Sequence, residues 1–406
     1  MKVIYFHQYF STPGGAAGTR SYEMAKRLIA RGHDVLVVCG SAGRGDTGLT
    51  GPFVDGKRRG KVEGIEVVEF ELGYSNSDGF VKRTAAFLRY ASRGIGIALT
   101  ESYDLVFATT TPLTAGIPGI IARWVRAKPF VFEVRDLWPA LPKAMGVIRN
   151  PMVLGAMSIL EWVSYHSATA LIGLAPGIVE GIEKRGIPAA RITLVPNGCD
   201  LDLFAGESTA WRPPEVGMDS LMAVFAGAHG VANGLDAVLD AAAELQRQQQ
   251  WAIRIVLVGE GQLKARLQER AREERLLNVV FLEPMSKHIL RGLMAATDVG
   301  LQILANVPEF YYGTSPNKFF DYLAAGLPIL LNYPGWLSDI VRENQCGYAV
   351  PPSNPVAFAD ALVRALRDGK ERREMGMRSR VVAQTQFNRR ALADRFVDTL
   401  EESVRR

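Results

Sequence analysis

Short apolar runs alternate along this chain with stretches whose apolar positions recur every three or four residues, the pattern of β-strands followed by amphipathic helices. In the first half, Val3–Phe6, Asp34–Cys39, Asp104–Ala108, Pro129–Glu133 and Ala170–Leu174 predict strands, while Tyr22–Arg31, Ala115–Val125 and Leu154–Ala168 predict helices. Val62–Leu72 alternates as a single strand, and Thr193–Gly198 reads as a strand ending in a turn. The glycine-rich loop Gly40–Gly60 is expected to be mobile, and the polar stretch Ala205–Asp219 reads as a linker. A second series follows, with strands at Leu221–Ala226, Ile253–Val258, Val279–Leu282, Val299–Ile303 and Tyr348–Val350. Its helices are expected at Leu235–Gln248, Leu263–Glu274, Ser286–Ala296, Pro355–Asp368, from Lys370 onward, and at Arg389–Val404. Such alternation predicts parallel sheets wound on both sides, and 406 residues suffice for two domains. The expected division is 1–205, 206–385 and a terminal segment 386–406.

The stretch Gly313–Leu330, GTSPNKFFDYLAAGLPIL, concentrates the candidate chemistry. Pro316 discourages helix at Ser315, good helix formers run from Lys318 to Ala325, and Gly326 and Pro328 stop the helix before a buried strand. Lys318 and Asp321, three residues apart, fall on one side of the helix start. An ammonium beside free backbone N–H groups suits a phosphate, and a carboxylate suits sugar hydroxyls.

This stretch resembles the donor-sugar motif of the family-4 retaining glycosyltransferases, an acidic pair eight residues apart followed by A-x-A-x-G-x-P. Asp321 falls on the second acidic position, and Gly313 stands where the first would be. The form TSPNKFFDYLAAG is similar to a subgroup from O-antigen and capsule clusters named for L-fucosamine transfer. The resemblance implies the GT-B fold, two Rossmann-like doubly wound α/β domains facing each other across a cleft, with the last helix crossing back onto the first domain. It further implies a nucleotide sugar held by Gly313, Thr314, Ser315, Asn317, Lys318 and Asp321 in the C-terminal half.

Other loops fall at strand ends, where doubly wound sheets bind ligands. Gly14 and Gly15, in TPGGAAG, offer backbone N–H groups to a phosphate, but the G-x-G-x-x-G spacing of dinucleotide sites is missing. In FAGAHGVANG the family's usual Arg and Lys are replaced at Ala228 or His229 and at Asn233. Lys318 is the candidate replacement for leaving-group stabilisation, with His229 and the N–H groups of Gly14, Gly15 and Gly230 assisting. His229 reads equally well as a turn histidine without a ligand. Gly259 and Glu260 lie on a V-G-x-G turn similar to the family's turn beside the base, and Glu283-Pro284-Met285 would line the same crevice. Arg135 and Asp136, in EVRDLWP, resemble the subgroup's acceptor loop. Asp136 would orient or deprotonate the acceptor hydroxyl and Arg135 would bind a phosphate, or the two would pair to fix the loop. His7, ending the first strand, points toward the same cleft as a catalytic or a core residue.

Composition narrows the setting. The three cysteines, Cys39, Cys199 and Cys346, lie far apart, as expected of buried thiols in a reduced compartment. No metal-ligand spacing stands out, so neither a metal nor another cofactor is expected beyond a UDP-sugar as donor substrate. The N-terminus lacks signal-peptide anatomy and no apolar run reaches membrane-span length, which points to a cytoplasmic protein. Residues 1–204 carry 23 basic against 18 acidic side chains, and the remainder carry 24 against 24. With the basic, amphipathic stretch Phe80–Ala98, that surplus makes the N-terminal half a candidate surface for anionic membrane at the inner face. A nucleic-acid partner is not expected. The reading is a metal-independent, retaining glycosyltransferase moving an amino or deoxy sugar from UDP to a polyprenyl-diphosphate-linked glycan. Two alternatives stand beside it: a nucleotide-sugar 2-epimerase using Asp136, Glu133, His7 and His229, and a non-catalytic nucleotide-sugar binding protein.

Overall fold

A computed structural model describes every residue of the chain except 16–17, 43–44, 75–78, 206–208 and 406, with the side chains at 42, 74, 80 and 205 also outside the description. Two compact units emerge. The first comprises Met1–Asn197, Gly313–Ser315 and Arg390–Arg406, and the second comprises Gly198–Tyr312 and Pro316–Arg389.

The first unit holds β1 (Lys2–Phe6), β2 (Asp34–Ala42), β3 (Lys57–Val62), β4 (Ile65–Tyr74), β5 (Leu105–Thr109), β6 (Phe130–Val134), β7 (Ala170–Gly173) and β8 (Ile192–Leu194). They form one sheet in the order β3-β4-β2-β1-β5-β6-β7-β8. All neighbours run parallel except β3 and β4. β5 and β6 are buried at every residue, as expected of central strands covered by helices on both faces. β3, KRRGKV, alternates exposed and half-buried residues, and its charges suit a sheet edge. The terminal helix Arg389–Arg405 packs in this unit through Arg390–Arg406, where Asp394 receives Arg27 and Glu401 receives His33.

The second unit holds β9 (Leu221–Ala226), β10 (Ile253–Val258), β11 (Val279–Leu282), β12 (Val299–Gln302), β13 (Ile329–Leu331) and β14 (Gly347–Ala349), all parallel, in the order β11-β10-β9-β12-β13-β14. One apolar core joins the inner faces of these strands to the helices Asp236–Arg247 and Pro355–Arg367.

Three expectations need correction. The predicted strand Val62–Leu72 is for the most part β4, and an antiparallel partner, β3, precedes it largely inside the stretch read as a loop, the chain reversing at Glu63 and Gly64 with φ of 46° and 90°. β3, KRRGKV, has one apolar residue, Val62, so it shows no apolar alternation for a periodicity reading to find. The loop before it is also tied down: Thr47 donates to Glu69 at 2.5 Å and Thr12 N–H to the Asp46 carbonyl at 2.7 Å, although 43–44 lie outside the described residues. The proposed linker is built into the second unit. Trp211 donates to the Ile289 carbonyl, and Arg212 reaches the carbonyls of Ser220 and Ala296 and the carboxylate of Asp298. The division therefore falls at 197/198 instead of 205/206. Arg20 ties the Val195 and Pro196 carbonyls into the first unit, while the Cys199 N–H donates to Phe387 O in the second.

Candidate active site

In the second unit the strand order reverses between β9 and β12, the place where doubly wound sheets open a crevice at their carboxyl ends. The loop after β9 and the loop after β10 lie face to face there. Gly259 has φ of +145°, and a Cβ on it would sit 1.9 Å from the Gly227 carbonyl oxygen. A Cβ on Gly261 would sit 2.5 Å from the His229 carbonyl oxygen. Only glycine permits this approach. His229 N–H donates to the Glu260 carbonyl, and Leu263 N–H donates back to the His229 carbonyl.

Lys318 reaches this loop pair from the helix Asn317–Ala325, which ends at Gly326 with φ of 72°. Tyr322 sets that helix in place. Its ring covers Gly300 of β12, and its hydroxyl accepts the Ala226 N–H at 3.0 Å while lying 3.2 and 3.3 Å from the Val224 and Leu301 carbonyl oxygens. The half-buried Lys318 ammonium donates to Asn233 Oδ1 at 2.7 Å and sits 4.4 Å from the centroid of the Phe225 ring. Asn233 Nδ2 in turn donates to the Ala228 carbonyl. No carboxylate of the described residues pairs with Lys318, and burial alone pushes its pKa down to about 7. The residues standing where the family's Arg and Lys would be thus form the cradle of a lysine from another element.

Asp321 takes a different neighbour. It is buried and accepts from Lys287 at 3.0 Å; Lys287 also reaches Asp200 at 3.2 Å, and Arg389 pairs with Asp200. The helix thus turns Lys318 and Asp321, expected on one side of its start, toward separate partners. His229 is fully buried with its ring 6.2 Å from both Phe225 and Phe281, which gives it the place of a core residue. Glu260 Oε1 accepts its neighbour Gly261 N–H, and Glu283 pairs with Lys264 at 2.6 Å. Gly230 faces open space. Asn317 opens the helix half-buried.

Gly313, Thr314 and Ser315 are counted with the first unit, where Ser315 Oγ accepts the Asn197 N–H at 3.0 Å and its carbonyl accepts from the Asn197 amide. Gly313 faces open space. Ser315 thus anchors Asn197, with its own hydroxyl proton left to donate. Near Gly14 a Cβ would meet Asp46 Oδ2 at 2.6 Å, and the Gly15 N–H already donates to the Thr12 carbonyl at 3.1 Å. A carboxylate beside the loop and a committed N–H argue against the anion site expected there, with Ala16 and Ala17 outside the described residues.

The first unit gathers its own polar group at the carboxyl ends of β1, β5 and β6. Arg20 and Glu133 are buried as an ion pair, with contacts of 3.0 and 2.7 Å, and Glu133 also accepts from Thr109 at 2.8 Å. Arg135 carries no carboxylate partner among the described residues and donates to His7 Nε2 at 3.3 Å. Arginine being a donor only, His7 Nε2 accepts and the ring proton sits on Nδ1. Burial first, then the charges of Arg135 and Arg20, hold His7 well below its ordinary pKa. His7 thus stays neutral with Arg135 on its Nε2. Asp136 accepts from Thr111 at 3.3 Å, and burial raises its pKa above the usual carboxylate value despite Arg135. The alternative Arg135–Asp136 pair is not made, since each has another partner. Among the described residues, no group of three His, Cys, Asp or Glu is placed to hold a metal ion.

Comparison with known proteins assigns both halves of the chain to glycosyltransferase domains. Residues 15–198 match the Glycosyl transferase 4-like domain, and residues 221–368 match the Glycosyl transferases group 1 family. "Putative glycosyltransferase EpsF" of Bacillus subtilis (strain 168) is 29% identical over 195 residues, 45% of this chain and 47% of that protein, so the match spans about half the length of the curated relative. Sucrose-phosphate synthase from Thermosynechococcus elongatus superposes with a TM-score of 0.74 at 17% identity, covering 99% of this chain and 98% of that one. Anabaena HepE in complex with UDP-glucose gives 0.72 at 17% identity over 99% and 100% of the two chains. WaaG, a glycosyltransferase involved in lipopolysaccharide biosynthesis, gives 0.68 at 15% identity over 98% and 99%. The fold is GT-B, that of two-domain glycosyltransferases. Within that class the chain belongs to glycosyltransferase family 4.

Proposed function

We propose that this chain transfers a sugar from a UDP-sugar to a hydroxyl of a lipid-linked glycan in surface polysaccharide synthesis, with retention of configuration and without a divalent metal. The observation that carries the reading is Lys318, a half-buried ammonium between glycine loops with a neutral amide and a ring as partners. Such a cation is incomplete until an anion arrives, and a diphosphate fits both its charge and the open space beside Gly230. HepE binds UDP and UDP-glucose, which supports uridine as the base. WaaG's part in lipopolysaccharide biosynthesis supports a surface-glycan acceptor.

In the reaction, the bond from the sugar's anomeric carbon to the β-phosphate oxygen breaks, and UDP leaves with the electron pair. The acceptor oxygen bonds to that carbon on the same face, and its proton passes to the departing diphosphate. Lys318 stabilises the charge that develops on the leaving oxygen. In the first unit, Arg135 is the candidate anchor for an acceptor phosphate, and Asp136 the candidate orienting group for its hydroxyl. The geometry gives the epimerase alternative little support: Glu133 is locked to Arg20, His7 is held neutral by burial and then by Arg135, and His229 lies in the core. The test is thermal stabilisation by uridine, guanosine and adenosine diphosphates, with and without chelator, followed by transfer to membrane extract. A shift specific to UDP that survives chelator, with sugar transferred, is the expected result. Tight UDP binding without turnover would favour the binding-protein alternative, and no shift with any nucleotide would overturn the donor site.

A further inference from the structure

The helix Pro151–Ser167, PMVLGAMSILEWVSYHS, is apolar nearly all round. Its inner side is accounted for: Glu161, Ser164, Tyr165 and Ser167 are buried against the unit. Its outer side is not. Met152 is 82% exposed, Ile159 68% and Trp162 51%, and Gly155 and Ala156 between them are also exposed. Spacings of three, four and seven place these residues on one stripe, about 15 Å long at 1.5 Å per residue. The stripe continues onto the neighbouring helix Ile117–Val125. Trp124, 70% exposed, donates its indole N–H to Ser167 at 2.9 Å, one residue beyond the His166 ring that stacks on Trp162 at 4.1 Å. An exposed apolar stripe of this size on a soluble unit marks an interaction surface.

Charge selects the partner. From Leu105 to Ser167 the basic residues are Arg123, Arg126, Lys128, Arg135, Lys143 and Arg149, against the acids Glu133, Asp136 and Glu161, the last buried and paired with Arg185. Glu133 is neutralised by Arg20. Arg123, Lys143 and Arg149 are exposed. Apolar residues with tryptophan at one end and basic residues alongside suit an anionic bilayer interface, and a second copy of this chain would bring like charges together. The helix Phe80–Thr100, the membrane candidate from sequence, does not supply this stripe. Its Ala91 and Ala98 are buried with Ala86 and Tyr90, while Val81 and Leu88 point away from them, 80% and 54% exposed.

We propose that the first unit docks on anionic lipid through the outer face of the helix Pro151–Ser167, with Trp124 beside it. Docking would bring the site to the lipid-linked acceptor of the proposed function, while the stripe and its charges stand without that function. The test is co-sedimentation with vesicles of equimolar phosphatidylglycerol and phosphatidylcholine, and with phosphatidylcholine alone, for the full chain and for the triple variant Met152→Ser, Ile159→Ser, Trp162→Ser. All three side chains are exposed, so the variant should melt and bind UDP as the parent does. The parent should pellet with the anionic vesicles and less so as salt rises, and the triple variant should lose about tenfold or more of that binding. Equal binding by parent and variant, or no binding of the parent to anionic vesicles at low salt, would overturn the proposal. So would a parent dimer that the variant lacks with vesicles ignored by both, which assigns the face to a second copy. Loss of UDP binding by the parent would count against the donor site and leave the vesicle result standing.

Discussion

Arg20 in the first unit is buried and Lys318 in the second half-buried, and the surroundings of the two cations differ in one respect. Arg20 donates to the Glu133 carboxylate, to the Val195 and Pro196 carbonyls and toward Asn197. Its charge is matched within the fold. Lys318 has one amide oxygen and the face of a phenyl ring. A buried cation paired with a carboxylate fixes a scaffold, because removing either partner strands the other. One left with neutral partners is free to serve an anion that comes and goes, and the folded chain carries that cost as a depressed pKa.

The largest effect expected from this contrast is on stability. Glu133→Ala should cost about 3–5 kcal/mol in denaturant unfolding, since it leaves Arg20 charged and buried. Lys318→Ala should behave in the opposite way, lowering sugar-transfer turnover by about 100- to 1000-fold, the range for removing a leaving-group stabiliser, while the melting temperature holds or rises. Comparable stability losses at the two positions would dissolve the distinction. Tyr322→Phe should cost about 1–3 kcal/mol by stranding the Ala226 N–H, and lower turnover through a shifted Lys318, checked by unfolding and kinetics together.

Asp321 sharpens the comparison from the middle ground. With Lys287, Asp200 and Arg389 around it, Asp321→Asn should cost roughly 1–3 kcal/mol of stability and change UDP affinity less than about threefold by titration calorimetry. A larger loss of affinity would return Asp321 to the ribose. The smallest effect concerns pH without ligand. Folding lowers the Lys318 pKa to about 7, so between that value and the ordinary lysine value the unfolded chain binds more protons. Stability should therefore rise with pH across that window, and Lys318→Met should remove this contribution.

Much of the fold was legible because parallel strands buried on both faces are continuous apolar runs: β9, β10 and β11 fall where the pattern put them, residue for residue. β3 was not, since KRRGKV carries no apolar alternation to mark it as a strand. Lys318 was found because a cation at a helix start after a proline turn is a local signal. Its cradle in Asn233 is not local, lying 85 residues away. Asp321 misled for the same reason: spacing of three predicted a shared face, but the partner that claims it, Lys287, comes from another helix. Arg20 carried no signal at all, as nothing in its neighbourhood announces Glu133, 113 residues on.

The most direct test of the central claim is UDP affinity measured by calorimetry from pH 7 to pH 9 for the parent, Lys318→Arg and Lys318→Ala. The β-phosphate of UDP is already ionised in this range, its last pKa lying near 6, so changes report the protein. If the Lys318 ammonium meets the diphosphate, parent affinity falls as pH rises, by up to about tenfold per unit, because the ligand must then bring a proton to a lysine of pKa about 7. Lys318→Arg should keep most of the affinity and lose the pH dependence, and Lys318→Ala should bind weakly at every pH. A parent profile as flat as that of the alanine variant, with equal affinity, would contradict the account.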